Sequence, residues 1–133
     1  NAEVNIIGGN GFRLPTAEEW LIFAKAGTDN RWSGTNNEKE VGNYAWYRDN
    51  SYHQTHLVAT KKPNEWGMYD MSGNVHEWCW DRENVTDTNT SANRVFRGGS
   101  WFDGSAHLCS TERRDYLPRD RGGFLGFRVC RYI

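Results

Sequence analysis

Glycine and asparagine, 14 and 13 residues respectively, make up a fifth of this 133-residue chain. Both tolerate positive φ and favour turns, so long regular elements have little room. The apolar runs are short to match: Val41–Tyr47, His56–Ala59, Val75–Trp80, Val95–Arg97 and Phe127–Tyr132 read as brief strands between long loops. Glu83–Asn93 is polar, has no aromatic residue and reads as an exposed loop. One segment predicts a helix, from Ala17 to about Ala26. Thr16 and Glu19 form a capping box, Ala17, Trp20, Leu21 and Ala24 share one face, and Gly27 supplies a left-handed stop. The class these signals define is α+β, loop-rich, with little regular secondary structure, in a single domain over residues 1–133.

The side chains available to fill a core are mostly aromatic. Hydrophobic residues are 37% of the chain, but aromatics are 14%, including seven Trp, which argues against disorder. Net charge is −1, no apolar run approaches the length of a membrane span, and neither nucleic acid nor membrane insertion is the expected partner. The charge is segregated: residues 1–93 carry 8 basic and 13 acidic side chains, whereas residues 94–133 carry 8 basic and 4 acidic, and all eight of those bases are Arg. Arg interleaved with Trp, Phe and Tyr suits internal cross-linking of loops better than a phosphate-binding stripe. The chain opens at Asn1 without Met or a signal peptide. It therefore reads as an N-terminally incomplete piece, with any export signal or anchor lying outside it.

The cysteines and histidines form no familiar constellation. Cys79, Cys109 and Cys130 lack the spacing of a zinc knuckle, and an odd count permits one disulfide. Cys109–Cys130 would tie the Arg-rich segment to the last strand; three buried thiols are the alternative. His53 and His56 have no carboxylate at a metal-binding spacing. In Asp70-Met71-Ser72-Gly73-Asn74-Val75-His76-Glu77, two carboxylates bracket a Gly-Asn turn. Asp70 and Glu77 could converge with the carbonyls of Gly73 and Val75 on a calcium ion, or form a capped turn with two solvated acids.

Taken in order, several segments resemble the formylglycine-generating-enzyme (sulfatase-modifying factor) domain. They are Gly11–Thr16 with Glu18-Glu19-Trp20, Lys62–Val75, Glu77–Asp81, Arg97-Gly98-Gly99-Ser100-Trp101 and Gly126-Phe127-Arg128. The resemblance implies a C-type lectin fold of the formylglycine-generating-enzyme subtype. It also implies a structural calcium ion on Asp70, Gly73, Val75 and Glu77, with His76 standing where the family usually has Trp. Catalytic members use two cysteines placed three and eight residues after the Arg-Gly-Gly-Ser motif. Here those positions are Asp103 and Leu108, and neither can supply the soft sulfur that copper binding and thiol oxidation need. No copper and no enzyme activity are expected. An enzyme of altered chemistry using Asp103, His107 and Tyr116 is the rival reading.

The C-terminal segment is similar to the variable proteins of diversity-generating retroelements. Within 95–133, framework residues Arg113, Pro118 and Arg121 alternate with Phe102-Asp103-Gly104, His107-Leu108, Asp115-Tyr116-Leu117 and Gly122-Gly123-Phe124. Adenine-directed mutagenesis of pyrimidine-ending Asn codons cannot produce Trp, Met, Lys, Glu or Gln, and none of these stands in the four clusters. Trp101, Phe102, Asp103, Gly104, His107, Asp115, Tyr116, Gly122, Gly123 and Phe124 are the candidate contact residues, with Arg97, Arg113, Arg121 and Arg128 bracing the loops. The resemblance implies a receptor-like protein at a bacterial surface or envelope, its partner a protein or other macromolecule on another cell or host. A fixed-specificity module of a bacterial envelope protein is the alternative.

Overall fold

A computed structural model describes residues 11–82, 93–116 and 119–131. Helix α1, Ala17–Lys25, begins at the predicted capping box: Thr16 Oγ1 accepts from the Glu19 amide at 3.1 Å, and Glu19 Oε2 accepts from the Thr16 amide at 2.9 Å. Arg13 grips the same Glu19 carboxylate at 2.7 Å through each of two nitrogens, and its hydrogen bond is the main reason that carboxyl is lowered to about 2. The left-handed stop falls one residue earlier than expected, on Ala26 at φ 48°, with Gly27 following at φ 78°. Ala17, Trp20 and Ala24 form the buried face as the periodicity predicts.

The sheet has four strands: β1 (His76–Arg82), β2 (Arg94–Arg97), β3 (Arg114–Tyr116) and β4 (Leu125–Phe127), in the order β3-β2-β1-β4. β2 runs antiparallel to both β1 and β3, while β4 runs parallel to β1, pairing His76 with Leu125 and Trp78 with Phe127. The expected strands at 75–80 and 95–97 are therefore present. The last one sits two residues earlier than expected, and Cys130 instead makes an isolated bridge with Arg13. Strand β3 was not anticipated. Arg-Asp-Tyr carries no apolar run, and it becomes a strand through pairing with β2 and the stacking of Tyr116 on Phe96 at 5.2 Å.

Two expected strands are corrected. Over 41–47 the chain forms a short helix, α2 (Val41–Tyr44), entered through a turn of 3-10 helix at Glu38–Glu40 that Asn37 caps. Val41 and Ala45 are four apart, and both are fully buried in one cluster with Trp32, Leu108 and Cys109. His56–Ala59 is a loop whose backbone is bonded by side chains: Asn74 Oδ1 accepts from the His56 amide, and Asp70 Oδ2 accepts from the Ala59 amide. The polar segment expected as a loop at 83–93 lies outside the described residues except for Asn93.

The main core packs α1 against the sheet through Trp20, Ala24, Met71, Cys79 and Val95. Burying an aromatic of this size contributes on the order of 3–5 kcal/mol against truncation to Ala. The three cysteines are free thiols, so the Cys109–Cys130 bridge is not formed. Cys109 lies in the second cluster, where its sulfur accepts from Arg31 Nε at 3.1 Å, while Cys130 sits beside Arg13. Burial pushes the Cys79 thiol up to about 12, so it behaves as a small core hydrophobe.

Gly73 has φ +78° and sits where a Cβ would come within 2.3 Å of the Trp46 carbonyl oxygen. Gly73→Ala should therefore destabilise by about 2–4 kcal/mol, combining left-handed strain with a backbone clash. The urea midpoint checks this; an unchanged midpoint would mean that the Trp46 segment withdraws freely.

Candidate functional site

The segment after β2 turns sharply at Gly98-Gly99 and then depends on one carboxylate. Asp103 Oδ2 accepts from the Ser100 amide at 2.9 Å and from Ser100 Oγ at 2.8 Å, and it meets His76 Nε2 at 2.9 Å. Its other oxygen lies 3.6 Å from Arg114. Burial raises this carboxyl, but the bonds from His76 and Ser100 and the charges of His76 and Arg114 outweigh it, leaving it at about 2. The His76 ring stands edge-on to Phe96 at 4.6 Å and to Phe124 at 6.3 Å. The Asp103 carboxylate, bonded to His76 and close to Arg114, thus joins β1, β3 and the loop after β2 beneath the C-terminal face.

That arrangement divides the ten candidate contact residues. Asp103 and Gly104 are framework. Asp103 is the joint just described, and Gly104 is buried so close to Arg48 that a Cβ would come within 2.6 Å of the guanidinium. Phe102 (62% exposed) and Tyr116 (43%) are displayed, together with His107, Gly122 and Gly123. Trp101 and Phe124 are half-buried. The Trp101 indole donates to the Gly123 carbonyl at 2.9 Å and its ring meets Phe102 edge-on at 5.8 Å. Asp115 accepts from the Asn93 side chain. His107 pairs with Glu112 at 3.3 Å and does not meet Asp103, so the geometry does not assemble the His107–Asp103–Tyr116 constellation of the enzyme reading.

The bracing arginines also divide. Buried Arg97 donates to the carbonyls of Ser110, Thr111 and Glu112 at 3.3–3.4 Å, fixing the segment that leads into β3. Arg128 holds Glu77 through two bonds of 2.9 and 2.8 Å and donates to the Tyr69 carbonyl at 2.8 Å. Arg113 and Arg121 are exposed. Sequence reasoning missed Asn74, whose side chain clamps the His56 backbone while its carbonyl accepts from Trp101 and its amide donates to Trp46. Its place in a Gly-Asn turn was the available signal.

Asp70, Gly73, Val75 and Glu77 line one cavity of about 390 Å³, with Val58, Met68, Phe127 and Arg128. Glu77 is occupied on both oxygens: Trp20 Nε1 donates to Oε2 at 2.7 Å, and Arg128 bonds both. Asp70 Oδ2 accepts from Ala59, whereas Oδ1 is buried with no partner. Burial tends to lower the Arg128 pKa, but Glu77 and Asp70 together hold it above its ordinary value. Two carboxylates share one guanidinium, and the orphaned oxygen fits a hard cation. Among the described residues no group of three or more His, Cys, Asp or Glu side chains is placed to hold a metal. A cation would therefore rest on these two acids and backbone oxygens. His56 is committed elsewhere, stacked on Trp46 at 3.7 Å and bonded to the Ser51 carbonyl.

A short sheet, one capped helix and long loops fastened by buried ion pairs define a C-type lectin fold of the formylglycine-generating-enzyme subtype. The chain belongs to the sulfatase-modifying factor enzyme 1-like domain family, which matches residues 3–133. Treponema denticola variable protein 1 is 47% identical and superposes with a TM-score of 0.84, over 92% of this chain and 48% of that one. The chaperone protein LppX of Paenibacillus barcinonensis is 39% identical over 71% of this chain and 40% of its own length. The inactive C-alpha-formylglycine-generating enzyme 2 of Bos taurus is 32% identical over 90% of this chain and 44% of its own. The chain spans about half the length, or less, of these relatives.

The depressed carboxyl of Asp103 sets a pH dependence. A folded pKa of about 2, below the ordinary 3.8, contributes stability that is complete above pH 4 and is lost as pH falls toward 2. Asp103→Asn should cost about 2 kcal/mol at pH 7 and flatten the loss of stability between pH 4 and pH 2. Urea denaturation across that range measures both; an acid limb as steep as that of the parent chain would assign the dependence elsewhere.

Proposed function

We propose that this domain is a non-catalytic binding module that presents a sequence-varied surface, diversified by a retroelement, to a macromolecular ligand on another cell or host. The reading rests on one observation. Phe102, His107, Gly122 and Gly123 are exposed on a frame held by other residues, and Tyr116 is exposed at the outer edge of β3, where its ring also stacks on Phe96. Likeness to a variable protein and to an inactive enzyme relative supports it. The two positions that carry cysteines in catalytic relatives do structural work here: Asp103 is an ion-paired joint and Leu108 is fully buried in the second cluster. A location at the bacterial envelope is part of the same proposal. Fixed specificity is the competing outcome.

Sequencing codons 95–133 across a population of the source organism, with a search nearby for a near-copy of the segment, tests diversification. Substitutions should concentrate at Phe102, His107, Tyr116, Gly122 and Gly123, match adenines in the copy, and spare the framework positions Asp103 and Gly104. An invariant segment with no copy would establish fixed specificity instead.

We further propose a structural calcium ion held by Asp70, Glu77 and the carbonyls of Gly73 and Val75. It would neutralise the charge that Arg128 leaves over. Millimolar calcium should raise the melting temperature by about 5 °C over EDTA. Asp70→Ala should abolish that difference, and identical melting in calcium and EDTA would refute the site.

A further inference from the structure

We infer, building on the reading of this face as the binding surface, that its partner is a protein epitope with an apolar centre ringed by Asp and Glu side chains. The argument is one of charge left over after the fold has been satisfied. Of the eight arginines in residues 94–133, Arg97 and Arg128 are spent on carbonyls and on Glu77, Arg114 lies 3.6 Å from both Asp103 and Glu112, and Arg113 is also engaged. Arg94 and Arg131 lie over the rings of Trp80 and Phe12, each at 5.3 Å. Arg119 and Arg121 are exposed, and among the described residues they have no hydrogen bond, ion pair or ring contact. Arg121 leads directly into Gly122 and Gly123, the latter bonded to Trp101.

A third guanidinium joins them from a distant part of the chain. The amide of Arg48 donates to the Asp103 carbonyl at 3.0 Å, and its exposed side chain lies against Gly104, beside Phe102. The neighbouring carboxylates are engaged: Asp103 with His76, Glu112 with His107 and Arg114, Asp115 with Asn93, Glu38 with Ser105, and Asp49 with Tyr47, while Asp120, between Arg119 and Arg121, also has a partner. The face therefore offers exposed Phe102 and Tyr116, with the Arg48 guanidinium beside Gly104 and exposed Arg119 and Arg121 on the chain between Tyr116 and Gly122. Guanidinium pairs with carboxylate in bidentate geometry, and a desolvated aromatic centre within a charged rim is the anatomy of a protein interface. A chain of net charge −1 with three such groups has little of the field that draws a polyanion.

The test is to pan a phage-displayed random peptide library against the immobilised chain and measure selected peptides by titration. Enriched peptides should carry Asp or Glu flanking aromatic or aliphatic residues. Raising salt from about 50 to about 300 mM should weaken them about tenfold. The triple variant Arg48→Ala/Arg119→Ala/Arg121→Ala should bind about tenfold more weakly with a flattened salt dependence and an unchanged melting temperature. Peptides without acidic enrichment, or equal binding by the triple variant, would overturn the acidic partner, even if Phe102→Ala/Tyr116→Ala abolishes binding and so upholds the face. Equal binding by that double variant as well, or no enrichment at all, would overturn the face itself. Heparin or single-stranded DNA binding more tightly than any peptide, with the same arginine dependence, would replace the protein epitope by a polyanion.

Discussion

The buried carboxylate of Glu77 is the point on which the rest of this structure depends. It sits on β1, accepts from Trp20 on α1 and is gripped on both oxygens by Arg128, just past β4. Helix, central strand and edge strand are thereby fixed to one another in a chain with few backbone ladders to do that work. Arg128 extends the node to the Tyr69 carbonyl, bringing in the loop that carries Asp70. A buried pair of this kind tolerates loss of neither partner, since truncating one strands a charge away from water at a cost of roughly 3–5 kcal/mol.

A second joint, between His76 and Asp103, is only one residue away along β1. It carries the fixed frame up to the C-terminal face, with Ser100, Phe96, Phe124 and Arg114 arranged around it. The two joints give the face a stiff base. Above them, the side chains of Phe102 and His107 and the Gly122-Gly123 segment are presented to solvent, with Tyr116 exposed at the edge of β3. Display side chains and structural side chains alternate within one short segment, which permits one set to vary while the other holds.

Segregated charge has a matching physical cause. Loops cannot satisfy their own carbonyls as helices and strands do, so they need donors with reach and several N–H groups. Arg97 supplies three loop carbonyls from one side chain, and Arg128 serves a carboxylate and a carbonyl together. Lys, with a single charged nitrogen, could not reproduce the Arg128 fork, which uses Nε and Nη2 at once.

The legible parts of the sequence were those set by neighbours along the chain. Helix α1 was readable because its capping box and i, i+3, i+4 face are local, and β1 and β2 because each carries a contiguous apolar run. The Gly-Asn turn at Gly73-Asn74 was readable for the same reason. What depends on distant partners was not. Val41–Tyr44 is helical because Val41 and Ala45 both face Leu108; Arg114–Tyr116 is a strand because β2 waits beside it. Asp103 is half-buried and bonded to His76 across from it, and Cys109 and Cys130 are thiols placed apart, beside Arg31 and Arg13. By itself the sequence determined the family and helix α1 with its buried face. Only the tertiary structure decided which residues of the C-terminal segment are displayed and which are fastened, because burial and ion pairing here join groups tens of residues apart.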